Sequence, residues 1–150
     1  MSITDRGYLF PIQKRVEHID TDASGVVHFA RYPSLMESAI LENLDAHAMG
    51  LHALERVGLS LVVVEVQVKY FAPSHFLDCL SIEVKVKRVQ AARFFIEGFV
   101  YRVEQDKANT LLASGIFTFA VTQLQEGTPC ALPKSIRETL KECMNDACSK

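Results

Sequence analysis

The spacing of apolar residues changes period along the chain, and each change marks an element. Residues 33 to 48, PSLMESAILENLDAHA, carry Met36, Ile40 and Leu44 at steps of four, joined by Leu35 and Ala39, while Glu37, Glu42 and Asp45 fall on other angles. That pattern predicts an amphipathic helix, with Pro33 in its first turn and Gly50 as its stop. From Val62 to Tyr70 the period becomes two. Val62, Val64, Val66, Val68 and Tyr70 alternate with polar Glu65, Gln67 and Lys69, which predicts a half-buried strand. Ala72, Pro73 and Ser74 break it. Leu80, Ile82, Val84 and Val86 then alternate with Ser81, Glu83, Lys85 and Lys87, the cleanest strand pattern in the chain. Two more strands are predicted over 93 to 104 and 110 to 122, apolar on both faces in places, so each needs cover on two sides. Residues 8 to 19 are a loosely patterned first strand. Ser135 and Glu138 have capping-box spacing ahead of Leu140 and predict a short C-terminal helix.

The order is strand, long helix, four strands, short helix. Consecutive strands joined by short turns favour antiparallel pairing, and one long helix against such a sheet makes an α+β fold. The helix stripe is broad, so the sheet is expected to wrap around it. No repeat, linker or low-complexity segment divides residues 1 to 150, which suit a single domain.

Composition removes several function classes. Net charge is −2 with no block of like charge, unlike the basic footprint of a nucleic-acid binder. The apolar runs are much shorter than a membrane span needs. The start, MSITDRGYLFP, lacks the basic and apolar regions of a secretory signal. Cys79, Cys130, Cys143 and Cys148 form no CxxC pair, so free thiols in a reducing cytoplasm are expected. His47 and His52 are five apart and would not share a helix face. No HExxH, Cys/His cluster, phosphate-binding glycine loop or serine-hydrolase elbow occurs, so neither metal nor cofactor is expected.

The chemistry concentrates in DTDASGVVHF, residues 20 to 29. Ionised carboxylates are costly to bury unless paired, so acids before an apolar run form either a solvated turn or a working group. Gly25 allows a tight backbone path. A helix starting soon afterwards presents unpaired amides at its positive end, a ready oxyanion site. Spacing alone does not separate Asp22 from Asp20, nor either from a plain Asx-capped turn.

The stretch DTDASGVVHFARYPSLMESA (20 to 39) resembles the opening motif of hotdog-fold acyl-CoA thioesterases of the 4-hydroxybenzoyl-CoA thioesterase-like group. Its places are filled by Asp20, Thr21, Asp22, Gly25, Val26, Val27, His28, Tyr32 and Glu37. YFAPSHFLDCL (70 to 80), LASGIFTFAVT (112 to 122) and LPKSIRETL (132 to 140) are similar to later family patterns, so the likeness covers nearly the whole chain. It implies a five-stranded antiparallel sheet wrapped around one long helix, assembled as a homodimer or homotetramer. It also implies hydrolysis of an acyl-CoA or acyl-carrier-protein thioester. Asp22 would be general base or nucleophile, and the Phe29 backbone amide the oxyanion donor.

Other positions follow with less specific roles. Gly25, Val27, His28, Tyr32 and Glu37 are candidates to line the substrate site. Tyr32 could bond Glu37 or pack, and Met36 and Ile40 belong first to the core stripe. The Tol-Pal-linked branch places a tyrosine and then a histidine after the valine pair. Here His28 comes one position earlier and Phe29 follows, so that histidine's role is not carried over. Lys87, Arg88 and Arg93 surround one hairpin end and could hold coenzyme A phosphates, although lysines on a strand's polar face also serve solubility and edge protection. A hydratase on acyl thioesters would want an Asp-x4-His pair or a Gly-His-Phe-Pro loop, and neither is present. A non-catalytic acyl-thioester binder is the alternative from another class; intact Asp22 and Gly25 weigh against it.

Overall fold

The computed structural model describes residues 9–148, with side chains to Asn145. The expectations for the extreme N-terminus and for the Cys148 thiol lie outside these described residues. The chain runs β1 (Ile12–Arg15), a 3-10 turn (His18–Asp20), α1 (Arg31–Ala46), α2 (Leu51–Glu55), β2 (Leu59–Tyr70), β3 (Cys79–Val89), β4 (Arg93–Arg102), β5 (Thr110–Gln123), β6 (Pro129–Cys130) and α3 (Lys134–Cys148). The sheet order is β1-β3-β4-β5-β2, antiparallel throughout, and two-residue β6 pairs with β5 where β4 has ended.

α1 lies across the concave face of this sheet. Its buried stripe is Tyr32, Leu35, Met36, Ala39, Ile40 and Leu44, joined by the polar Asn43, as the spacing of four predicts. The close approach has a specific cause. Gly98 of β4 and Gly115 of β5 are direct partners across the sheet. A Cβ built on Gly98 would come 2.9 Å from Met36 Cγ, and one on Gly115 2.7 Å from Met36 Sδ. The glycine pair makes a trough for Met36, which is fully buried, so that side chain belongs to the core. Phe94, Ile96, Val100, Phe117 and Phe119 surround the trough in the same core cluster. α3 packs against β3 and contributes Ile136, Leu140 and Cys143 to that cluster.

Three expectations need correction. The first strand is only four residues long, because the chain leaves the sheet for the 3-10 turn that buries Asp20. α1 does not run to Gly50. It ends at Ala46, Ala48 takes a left-handed φ of 58°, and Gly50 instead caps the unforeseen α2. Gly50 is packed so tightly on Asp45 that an added Cβ would lie 2.9 Å from the Asp45 Cα. β2 is not half-buried in this chain. Val62, Val63, Val64 and Val66 are 36–46% exposed, because β2 is the edge strand and a bulge at Val64 reverses the alternation.

Candidate active site

Residues 20 to 28 fold back on themselves as a small hairpin. The His28 amide donates to the Asp20 carbonyl at 2.9 Å, and the Asp22 amide to the Val26 carbonyl at 2.8 Å. Thr21 and Val27 form a bridge between these rungs. Gly25 turns the tip with φ 85° and open space around it, so conformation rather than crowding calls for glycine there. The hairpin rests on the loop before β3: the Val27 amide donates to the Ser74 carbonyl at 2.8 Å, and Val26 bridges to His75. Arg102 holds that loop from β4, donating through Nη1 to the Pro73 carbonyl at 2.9 Å.

The structure separates the two acids. Asp20 is 2% exposed. Its Oδ2 accepts the Glu17 amide at 2.8 Å and lies 3.8 Å from Lys14 Nζ, while Oδ1 accepts Arg31 Nε at 3.0 Å. It ties β1, the hairpin and the first residue of α1 together. Asp22 stands nearer the tip and is partly open to solvent. Its Oδ1 accepts both the amide of Ser24 at 2.8 Å and its hydroxyl at 2.7 Å. Oδ2 accepts no bond from the described residues. The Ser24 hydroxyl is the main cause that holds the Asp22 carboxyl below the usual aspartate range; the Ser24 amide and the nearby His28 act in the same direction. Asp22 is therefore a carboxylate at neutral pH with one oxygen at liberty.

At the hairpin's base the chain enters α1. The Arg31 amide donates to the His28 carbonyl at 2.9 Å, and the Ala30 amide to His28 Nδ1 at 3.1 Å. The amide of Phe29, between them, has no acceptor among the described residues. The Phe29 side chain is 66% exposed and stacks on His28 with ring centres 4.6 Å apart.

The remaining candidates divide. Gly25, Val27 and His28 belong to this hairpin. Val27 is buried, as is Tyr32, so both pack beneath the site. The expected Tyr32–Glu37 bond does not form: the Tyr32 hydroxyl meets Ser74 Oγ at 3.0 Å, and Glu37 lies on the exposed side of α1. Lys87, Arg88 and Arg93 are exposed around the β3–β4 turn. Lys87 occupies a bulge, and the Arg88 guanidinium sits 5.9 Å above the Phe95 ring. The hairpin contacts the chain just before β3, whereas this turn lies at the strand's other end, about 30 Å away along ten residues. One chain cannot bring the two together. Clefts of about 460 Å³ over α1 and α2 and about 450 Å³ beside β1 are lined by neither Asp22 nor Phe29.

The sequence pattern alone did not single out Ser24, Arg31, Ser74 or Tyr70. Ser24 had a visible signal, Asp-x-Ser before a glycine. The others depend on contacts between residues 11 to 42 positions apart.

The sequence, and the sheet packed on one long helix, match a known family. The thioesterase-like superfamily model matches residues 16–140. The chain belongs to the thioesterase-like superfamily. It is 31% identical over 134 residues to acyl-CoA thioester hydrolase YbgC of Escherichia coli, covering 89% of this chain and 97% of that protein. Acyl-CoA thioesterase YbgC of Haemophilus influenzae is 33% identical over 135 residues, covering 89% and 93%. Among solved structures, a 1,4-dihydroxy-2-naphthoyl-CoA thioesterase from Synechocystis superposes with a TM-score of 0.76 at 25% identity, covering 88% of this chain and 95% of that one. The hotdog architecture implied by the opening motif is thus the one observed, and the relatives are named thioester hydrolases.

Proposed function

We propose that this protein hydrolyses acyl-CoA thioesters, with Asp22 as the reacting carboxylate and the Phe29 amide as the oxyanion donor. The observation that carries this is the free amide at the start of α1, next to a hairpin whose Asp22 is ionised and has one unoccupied oxygen. Charge develops on the thioester oxygen as the carbonyl carbon is attacked, and a fixed amide donor stabilises it without reorganising. Asp22 either takes a proton from the attacking water or attacks the carbon itself. In both cases the C–S bond breaks and the thiolate is protonated; where Asp22 attacks, water then cleaves the Asp22–acyl anhydride, so either route ends in the acid and coenzyme A. The relatives' names point to coenzyme A rather than a carrier protein as the thiol. We place the protein in the cytoplasm, where free thiols such as those of Cys79 and Cys130 persist. No helix among the described residues is long and apolar enough to cross a membrane.

The site stands beside the C-terminal end of β2, where Tyr70 reaches Phe29. β2 is a twelve-residue edge with exposed valines, and such an edge pairs readily with another. A second copy joined β2 to β2 would cover those valines, wall the open junction, and supply the Lys87, Arg88 and Arg93 turn from the partner side for phosphate contacts. A tetramer would follow from pairing the outer sheet faces, where Phe95, Phe99 and Tyr101 are only partly covered.

Thiol release from a panel of aromatic and straight-chain acyl-CoA and acyl-carrier substrates tests the activity; binding without release from any of them would refute it. Single-turnover hydrolysis in ¹⁸O-water distinguishes the two roles of Asp22, since only a nucleophile acquires the label. Val64→Lys should shift sedimentation toward monomer and reduce turnover together. A wild-type monomer at micromolar concentration would remove the shared site.

A further inference from the structure

We infer that Tyr70 is a positioning residue for the oxyanion donor, its hydroxyl holding the backbone that carries the Phe29 amide. The inference rests on the function proposed above and adds a residue that the hairpin motif does not contain.

The need for such a residue is written in the chain. In a helix a carbonyl is taken by the amide four residues on. For Phe29 that residue is Pro33, which has no N–H. The Phe29 carbonyl stands one residue ahead of the N-cap Ala30, outside the helical ladder, and Pro33 has no N–H with which to extend the ladder back to it. The Tyr70 hydroxyl, 41 residues away, donates to it at 2.8 Å. Tyr70 is the last residue of β2 and pairs with Ala113 of β5, so its backbone is anchored in the sheet. Its ring meets that of Tyr32 edge-on, with centres 5.6 Å apart, and the Tyr32 hydroxyl is fastened to Ser74. Partial burial and the neighbouring Tyr32 raise the Tyr70 pKa above its usual value, so the hydroxyl keeps its proton throughout the neutral range.

Two successive peptide planes are thus pinned. The plane joining His28 to Phe29 is held by the Arg31 amide on its carbonyl. The plane joining Phe29 to Ala30 is held twice, by Tyr70 on its carbonyl and by His28 Nδ1 on its amide. The Phe29 N–H is left as the unengaged donor of this segment, with its direction set from both sides. Removing an oxyanion donor outright costs about 10²–10³-fold in kcat; loosening one costs less, because the amide remains and only its preorganisation is lost.

The test compares wild type, Tyr70→Phe and Asp22→Asn on the acyl-CoA that the substrate panel shows to be turned over fastest. Tyr70→Phe keeps the ring on Tyr32 and deletes only the hydroxyl. It should lower kcat about ten-fold, leave KM within about two-fold and leave the pH profile unchanged. The second measurement is the infrared carbonyl stretch of the same thioester, ¹³C-labelled and bound to Asp22→Asn. Hydrogen bonding to the amide should lower that frequency relative to the free thioester, and adding Tyr70→Phe should return part of the shift. An unchanged kcat, or a raised KM with kcat intact, would overturn the positioning role, as would a carbonyl shift that Tyr70→Phe leaves untouched. If Asp22→Asn hydrolyses at the wild-type rate, or the bound carbonyl is unshifted, the proposed function itself fails and takes this inference with it.

Discussion

Asp20 and Asp22 stand two residues apart in one hairpin, yet their surroundings differ in every respect that matters for chemistry. Asp20 is shut away, with both oxygens committed to the Glu17 amide, Lys14 and Arg31. Asp22 is open, with one oxygen held by Ser24 and the other at liberty. A buried carboxylate that is fully hydrogen-bonded has nothing left to offer a substrate, but it fixes the geometry around it. An open one contributes little to stability and can react. The pair shows how a short motif divides two identical side chains between holding the site and doing its chemistry.

The sharpest way to break this comparison is to exchange the consequences. Asp22→Asn keeps the Asx turn and removes the ionised oxygen. Turnover is expected to fall about 10³-fold, with the melting temperature within about 2 °C of wild type, read by thiol release and thermal unfolding. Asp20→Ala should do the opposite. It strands the Glu17 amide and the Arg31 guanidinium, and is expected to cost about 3 kcal/mol, lowering the melting temperature by about 10 °C. If Asp20→Ala proved as stable as wild type while Asp22→Asn unfolded, the assignment of the two acids would be reversed.

Ser24→Ala gives the smallest effect and the finest test. The Ser24 hydroxyl is the largest cause lowering the Asp22 pKa. With it the carboxylate survives to a pH below the ordinary aspartate value, and without it the acid limb of kcat/KM should move up toward that value. Turnover at pH 7 should change by only a few-fold, because Asp22 is ionised there in both proteins. The sign for stability is the same. A carboxyl depressed on folding stabilises above its unfolded pKa and loses that contribution as pH falls through the folded one. An acid limb that does not move would show that Asp22 does not govern it.

The local elements were legible because their causes are local. Steps of four from Met36 to Leu44 gave α1, and strict alternation from Leu80 to Val86 gave β3. The glycine and paired acids of residues 20 to 25 marked the turn, and the motif's resemblance singled out Asp22 within it. The limits were equally physical. Alternation shows that β2 has an apolar face but not whether the chain itself covers it, and as an edge strand it does not. Gly50 signals a break in helicity, but whether it stops α1 or starts α2 depended on its packing against Asp45.

By itself, then, the sequence determined the antiparallel α+β order, the helix stripe and the hairpin tip at Gly25, since each follows from backbone chemistry or from neighbours a few residues away. Tertiary structure alone decided which acid Arg31 would bury, which glycines would admit Met36 and which hydroxyl would reach Phe29. Those outcomes depend on groups 11 to 79 residues apart being brought within bonding distance, and no local spacing encodes that meeting.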